Sequence, residues 1–539
     1  MKNHPYNHFL KWNIYQIYPR SFCDSNGDGI GDLNGITSRL NHLKALGIDA
    51  VWLSPCYQSP NDDNGYDIAD YYDIMDEFGS LDDWKIMIKK MHELDIKLIM
   101  DLVPNHTSTA HHFFQESRKG KDNPYSEYYY WFDSPPNDWQ AAFGGSAWQY
   151  DEVRKQYYLH SYAISQADLN WDNPQVRQAM RDIIDFWVDL GVDGFRIDVI
   201  DQISKDFSGH NAFGPHLHEY IRDMFGRDKV KHLFTVGECW VDSEEEIIKH
   251  CHPSRRELVT LFQFDHFDKA RQGKFTLDKD SRYDLNAVKK HLVKWQNFTQ
   301  KESLLYTLFT DNHDQPRFLS RMNIDERLRY QAATMLATMF YLLKGVPFIY
   351  QGQEIGVLNS RYQSINSYRD IETLNFYEEN KGRYSEDQLL EMINNGSRDH
   401  ARRPMPWDDS SYGGFSIVTP WIDVNLDYQT INVKNAKADE HSIFNYYQTL
   451  LKLRKEDVFI EGIFTDLSDK RQDCFIYQRH DENRKVVVLI NFEKEQMIDI
   501  NLDVKQILLS NYDDLPDECA RIYRPFEVVV YEIIESKHA

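Results

Sequence analysis

Cysteine is scarce in this 539-residue chain: Cys23, Cys56, Cys239, Cys251, Cys474 and Cys519 are the six present, and none forms a Cys-x-x-Cys pair. A chain this long needs no disulfides to stabilise a core, so six reduced thiols in a cytoplasmic protein are expected. Also lacking is an apolar run of the roughly 20 residues that span a bilayer. The densest apolar stretch, 333–343, stops at Lys344 and suits a packed helix. Residues 1–18 show neither the charged-then-apolar pattern nor the small-residue cleavage site of a secretory signal. Positive charge is in deficit, with 61 basic against 85 acidic residues and a net charge of -24. That balance opposes phosphate backbones and anionic membranes, so neither nucleic acid nor membrane is an expected partner. Gly27, Gly29 and Gly31 run into Asp32, which spoils a dinucleotide-binding glycine pattern, and no Gly-x-Ser-x-Gly occurs. His250-Cys251-His252 lacks zinc-site spacing and reads as a solvated loop.

What is present is a globular composition, 41% apolar and 27% charged, long enough for two or three domains. Aromatics reach 14%, including 33 Tyr and 12 Trp. Many must be core, but ring faces also suit the C–H surfaces of sugars. Strand-like runs at 13–19, 50–55, 97–104, 194–199, 233–239, 258–265, 304–310 and 346–350 alternate with helical patterns. Asn173 can cap a helix with Pro174 in its first turn; Val176, Met180, Ile183 and Trp187 then share one face before Gly191. Trp84, Met87, Met91 and Leu94 form a similar stripe. Eight such units predict an α/β fold, a parallel (β/α)8 TIM barrel with chemistry at the strands' C-terminal ends.

Two segments break the alternation. Residues 105–172 hold no helix–strand unit but many aromatics, which predicts a small inserted domain over the barrel mouth, after the third strand. From 460 to 539 the pattern is all-β, with strands expected at 474–479, 486–492, 497–501 and 526–533, so a C-terminal antiparallel, sandwich-like domain is expected. The barrel then takes 1–104 and 173–459.

The strand ends concentrate acids and histidines. The fourth reads Gly194-Phe195-Arg196-Ile197-Asp198, so Arg196 and Asp198 share a face. A guanidinium there would hold Asp198 ionised, as suits a carboxylate nucleophile, although a plain salt bridge also fits. The fifth ends Gly237-Glu238-Cys239-Trp240, where apolar neighbours would keep a proton on Glu238. The seventh leads into Asp311-Asn312-His313-Asp314, and the third into Asp101-Leu102-Val103-Pro104-Asn105-His106. The run 24–32 has oxygens at alternate positions, Asp24, Asn26, Asp28, Ile30 and Asp32, as in a calcium loop. It fails the EF-hand rule because Gly35 stands where a bidentate Glu belongs, and a turn held by Asx hydrogen bonds is the alternative.

Segments 101–106, 194–198, 237–240 and 312–314 resemble, in order, the four signature regions of the α-amylase superfamily of glycoside hydrolases. The similarity runs from about residue 14 to 407. Gly65-Tyr66-Asp67, Gln351-Gly352-Gln353-Glu354 and Ser397-Arg398-Asp399 resemble its oligo-1,6-glucosidase and α-glucosidase branch. Ile197, Gln353 and Pro406 depart from the commoner pattern without touching a proposed catalytic group.

The resemblance implies Asp198 as nucleophile, Glu238 as acid/base and Asp314 as the carboxylate that stabilises a distorted sugar. It implies His106, Arg196 and His313 around the reactive glucose, Tyr66 stacking on it, and Asp67 with Arg398 closing the pocket's far end. Val199 would line the space for the leaving sugar, where Val accompanies α-1,6 linkages; ordinary strand packing is the competing account. No catalytic cofactor is implied, only a structural Ca2+ or Mg2+ in the 24–32 loop, expected at the N-terminal part of the barrel. The expected partner is a small oligosaccharide. The resemblance implies a retaining, exo-acting α-glucosidase that favours α-1,6 linkages. An α-1,4-glucosidase, a sucrose-type transferase or isomerase, a trehalose-6-phosphate hydrolase and a non-catalytic transporter subunit share the scaffold; the presence of all three carboxylates disfavours the last.

Overall fold

A computed structural model describes residues 5–209, 211–241, 243–268, 273–277, 282–516 and 518–534. Eight parallel strands stand at the expected places: Ile14–Ile17, Ala50–Leu53, Lys97–Leu102, Gly194–Ile197, Phe234–Gly237, Thr260–Leu261, Thr307–Leu308 and Val346–Tyr350. Each pairs with its sequence neighbour, and the first pairs with the eighth. The ladder is interrupted between the sixth and seventh, the two shortest staves. Side chains bridge that seam: Thr260 Oγ1 donates to the Leu305 carbonyl at 3.1 Å and Thr307 Oγ1 to the Leu261 carbonyl at 3.0 Å. Close approach is needed at Gly194, where a Cβ would lie 2.4 Å from the Phe234 carbonyl oxygen.

The helices start where side chains can satisfy their first N–H groups. Asn173 accepts from Gln175 N–H at 2.9 Å and opens Pro174–Asp189, which buries Val176, Met180, Ile183 and Trp187. Ser80 and Asp83 form a capping box for Leu81–Glu93, which buries Trp84, Met87 and Met91. The apolar stretch near 333–343 is the helix Arg329–Tyr341. It is buried against the C-terminal sheet, where the Tyr477 hydroxyl donates to the Thr338 carbonyl at 3.4 Å, and against the helix Ile443–Leu453, where Thr338 Oγ1 meets the Tyr446 hydroxyl at 2.7 Å.

After the third strand the chain leaves the barrel. Trp131–Phe132, Gln156–Leu159 and Trp148–Asp151 form a three-stranded antiparallel sheet, and His106–Ser108 pairs with Gln166–Asp168. At the C-terminus, Ile463–Asp466, Cys474–His480, Lys485–Asn491, Val528–Ile533 and Val504–Ser510 make a five-stranded antiparallel sheet in that order. Gln496–Ile498 and Arg521–Tyr523 pair separately. Alternate residues face opposite ways: Phe475, Tyr477, Val486 and Val488 join the main core, while Cys474, Ile476, Val487 and Leu489 form a second one. The strands at 463–466, 504–510 and 521–523 were not expected from the sequence. Val504–Ser510 carries two register shifts and is largely exposed, so it lacks clean alternation.

The 24–32 loop follows the first strand, so it sits on the C-terminal rim, and the expectation of a place away from that rim is corrected. It packs on the 415–421 segment: Asp24 N–H donates to the Phe415 carbonyl at 3.0 Å and Trp421 N–H to the Gly29 carbonyl at 2.9 Å. Gly29, at φ +90°, lies so close that a Cβ would come within 2.4 Å of the Thr419 carbonyl oxygen.

Candidate active site

Arg196 is the centre of the carboxylate cluster. Its Nη1 lies 2.8 Å from Asp198 Oδ1 and 2.9 Å from Asp101 Oδ1, while Nη2 donates to Glu238 Oε2. Strand pairing explains this convergence: Arg196 is the register partner of Asp101 on one side and Val236 on the other. One guanidinium thus serves three carboxylates. Burial first, then the Glu238 and Asp101 charges, push the Asp198 carboxyl well above the usual range, with Arg196 opposing. Arg196 thus favours the ionised form of Asp198, as expected, but its charge is shared among three carboxylates. Glu238 is likewise an ion-pair partner of Arg196 rather than a carboxyl in an apolar niche. Asp198 and Glu238 meet the same guanidinium through its two terminal nitrogens, which brings their carboxyl groups side by side.

Asp314 is tuned the other way. Burial would raise its pKa, but His313, Arg398 and Arg402 outweigh it and hold the carboxyl well below the usual range. Arg398 Nη1 and Arg402 Nη2 approach Asp314 Oδ1 at 3.1 and 3.0 Å. Behind them Asp370 accepts from Arg398 Nε and Nη2 at 2.9 and 2.6 Å.

These groups surround a cavity of about 530 Å³. Tyr66, His106, Asp198, Val199, Glu238, Asp314 and Arg398, all expected at the site, line it. Arg196 and His313 stand behind the wall and position others. His313 stacks on Tyr66 with ring centres 5.3 Å apart, and its Nε2 lies 2.7 Å from the Tyr66 hydroxyl. Burial pushes the His106 imidazole down to about 4, so it faces the cavity neutral at pH 7.

Asp67 does not line the cavity, which corrects its expected place at the far end. Its carboxylate accepts from Ser59 Oγ, Asp62 N–H and Asp63 N–H at 2.9, 2.9 and 3.0 Å. It folds the turn that presents Asp63, whose Oδ1 lies 3.4 Å from Arg398 Nη2. Asp63 is the residue that sequence reasoning missed; only its place beside the Asn64-Gly65 turn could have pointed to it. Phe143, Tyr162, Gln202, Trp240, Lys274, Gln315 and Glu372 also line the cavity without having been singled out. They come from segments far apart in the chain that only folding unites.

The pattern of the alpha amylase catalytic domain matches residues 16–462 of this chain. The chain belongs to the alpha-amylase family. It is 46% identical to an oligo-1,6-glucosidase of Parageobacillus thermoglucosidasius, over 96% of this chain and 98% of that protein. Against an oligo-1,6-glucosidase of Bacillus cereus the identity is 45%, with the same coverage. A crystal structure of Bacillus licheniformis trehalose-6-phosphate hydrolase superposes with a TM-score of 0.91 at 38% identity, covering 98% of this chain and all of the other. This alpha-amylase family member is therefore a glycoside hydrolase on a (β/α)8 barrel.

Val199 departs from strand geometry. The fourth strand ends at Ile197, and Val199 adopts φ +34° and ψ +49°, rare for a β-branched residue. Ordinary strand packing does not describe it. Its side chain walls the cavity and its N–H points to Glu238 Oε2 at 3.4 Å. Such a conformation costs about 1–3 kcal/mol and persists because the surrounding barrel imposes it.

The 24–32 loop offers an all-oxygen donor set, compatible with a hard cation. Its polar groups also satisfy one another. Asp24 accepts from Gly27 and Gly29 N–H at 2.7 and 2.9 Å, Asn26 Oδ1 from Asp28 N–H at 2.9 Å, and Asp28 Oδ1 from Ile30 N–H at 2.8 Å. Asp32 accepts from Gly35 N–H at 2.7 Å and caps the following helix. Asp24, Asn26, Asp28 and the Ile30 carbonyl fit a Ca2+ or Mg2+ ion, which would tighten the turn; none of them lines the cavity.

Proposed function

We propose that this family member is a retaining, exo-acting α-glucosidase that removes terminal glucose from short oligosaccharides and favours α-1,6 linkages. The observation that carries this reading is the ion-pair cluster in the cavity wall. Arg398 ties Asp63 and Asp314, which line the cavity, to Asp370 behind them, and such a cluster of charged groups suits the many hydroxyls of a terminal sugar.

Retention is the outcome that the shared guanidinium favours: Arg196 holds Asp198 on Nη1 and Glu238 on Nη2, which keeps the two carboxyl groups side by side. Retaining pairs stand about 5–5.5 Å apart and inverting pairs about 6.5–9.5 Å. Glu238 gives its proton to the glycosidic oxygen as the C1–O bond breaks, and Asp198 forms an ester bond to C1. Glu238 then takes a proton from water, whose oxygen attacks C1, expels the Asp198 carboxylate and releases glucose with its configuration kept. Asp314, ionised throughout, stabilises the positive charge that develops on the sugar ring. Arg196 compensates whichever of the two carboxylates is charged.

The relatives named above support the α-1,6 preference, and Val199 is the residue placed to act on it. Cytoplasmic action is part of the proposal. It rests on six buried cysteines without a disulfide, and among the described residues no helix is long and apolar enough to cross a membrane. A trehalose-6-phosphate hydrolase is the second reading, favoured by the structural likeness at TM-score 0.91. Against it, the two cations among the described lining residues are already paired, Arg398 with Asp370 and Lys274 with Glu372, leaving neither for a phosphate. Product analysis on isomaltose, maltose, sucrose and trehalose-6-phosphate, with NMR of the first-formed anomer, tests both. Isomaltose should be the best substrate and α-glucose the first product; β-glucose would sink retention, and preferred cleavage of the phosphorylated sugar would favour the second reading.

A further inference from the structure

We propose that His218, Glu246 and His250 form a binding site for a divalent transition ion of the zinc class, separate from the carbohydrate site. His218 lies on the helix Leu217–Phe225, and Glu246 and His250 lie one turn apart on Glu244–Cys251. His250 is fully buried on a helix, which corrects the solvated loop expected for His250-Cys251-His252. One ligand atom from each of the three side chains lies within 4.8 Å of the others. His218 Nε2 and Glu246 Oε2 are 3.2 Å apart. Two ligands about 2.0 Å from a tetrahedral ion are separated by about 3.3 Å, so this edge is already set.

Both imidazoles are oriented as metal ligands are. His218 Nδ1 lies 2.7 Å from Glu257 Oε2, and His250 Nδ1 lies 2.8 Å from the Glu246 carbonyl oxygen. At His250 the contact keeps the proton on Nδ1 and leaves the Nε2 lone pair free, while His218 stands between Glu257 on Nδ1 and Glu246 on Nε2, where an ion would bridge the latter pair. Glu257 is itself fixed by Arg255 at 3.0 and 2.8 Å. His250 Nε2 is the telling atom, because it is buried and has no hydrogen-bond partner. A buried lone pair on an imidazole packed edge-on against a second one, 4.6 Å between ring centres, is costly unless something electrophilic joins them. Lys249 holds Oε1 of Glu246 at 2.6 Å and leaves Oε2 to the cluster. His218 and Glu246 also line a cavity of about 450 Å³ that supplies an entry path and room for water as fourth ligand. Two nitrogens and one oxygen select zinc-like ions over Ca2+ and Mg2+, which take oxygens.

Untagged protein stripped with a chelator tests this by equilibrium dialysis and calorimetry with Zn2+. The wild type should bind one equivalent and gain melting temperature. His218→Gln and His250→Gln should lose that equivalent, and Glu257→Gln should weaken it about 10- to 100-fold. Asp24→Asn should leave it unchanged, and excess Ca2+ should not compete. Co2+ added to the wild type should show the ligand-field spectrum of a nitrogen-bearing, low-coordinate site, a readout that needs no variant to fold. A wild type that shows only the aqueous Co2+ spectrum, or that binds no more Zn2+ than the His218→Gln/His250→Gln double variant, overturns the proposal.

Discussion

Arg196 Nη1 stands 2.8 Å from Asp198 Oδ1 and spends the same nitrogen on Asp101, 2.9 Å away. A single cation amid three carboxylates cannot stabilise all of them, and Asp198 carries the excess.

Asp198→Asn is therefore expected to abolish turnover and yet stabilise the fold. A carboxyl whose folded pKa lies above its unfolded value near ~3.9 binds its proton more tightly in the native state. Its contribution to stability then falls as pH rises from the unfolded value through the folded one. At pH 7 the Asn variant should melt above wild type, and the gap should close toward about pH 4. Loss of kcat should exceed about 10⁴-fold. Calorimetry across pH and single-turnover assays measure both; near-wild-type kcat would refute the nucleophile.

Glu238→Gln should separate substrates by leaving group. Isomaltose needs a proton on its departing oxygen and should lose roughly 10²- to 10⁴-fold in kcat. An activated aryl α-glucoside barely needs it and should lose far less in its glycosylation step. Equal losses on the two would remove Glu238 from the acid role.

Asp370→Asn should be among the most destabilising single changes. Asp370 is buried, pairs with Arg398 and accepts from Thr373 N–H at 3.1 Å as the cap of the helix Ile371–Asn380. Asn can still cap, so the loss isolates the charge, at about 3–5 kcal/mol for a broken buried pair. Burial opposes ionisation here, but Arg398 and Arg402 outweigh it and depress the Asp370 pKa. A depressed carboxyl loses its contribution only as pH falls through that low value, so the penalty should stay flat between about pH 5 and 8. Denaturant titrations at several pH values check this.

Ca2+ or Mg2+ should raise the melting temperature through the 24–32 loop, by binding the native state alone. Asp24→Asn with Asp28→Asn should cancel the rise while sparing kcat. A melting temperature indifferent to both ions would leave the loop as a turn held by its own Asx hydrogen bonds.

Val199→Ala should shift linkage preference. Removing two methyl groups from the cavity wall widens the space beside the scissile bond, where a closely held α-1,4 acceptor needs it. A contact of this size is worth about 1–3 kcal/mol, so kcat/KM on maltose should rise relative to isomaltose, by roughly ten- to 200-fold at most. An unchanged ratio would separate Val199 from linkage choice without touching the glycosidase assignment.

The barrel strands and the acids at their ends were legible because their signals are local. Apolar runs, caps such as Asn173 and Ser80, and acids one or two residues beyond a strand end are properties of neighbours in the chain. Tyr66 could be named for the same reason, and Asp67 was mistaken for Asp63 because one short turn holds both. Edge strands such as Val504–Ser510 were invisible, since exposure and register shifts erase their alternation.

By itself the sequence determined the eight-fold alternation, the acidic strand ends and the family to which they belong. Tertiary structure alone decided the electrostatics and the reach of each group. Arg196 meets Asp101 and Glu238 through strand register, Arg398 meets Asp63 across 335 positions, and His218 meets His250 between two helices. Coulomb and hydrogen-bond energies depend on distance and burial in space, and chain separation carries neither.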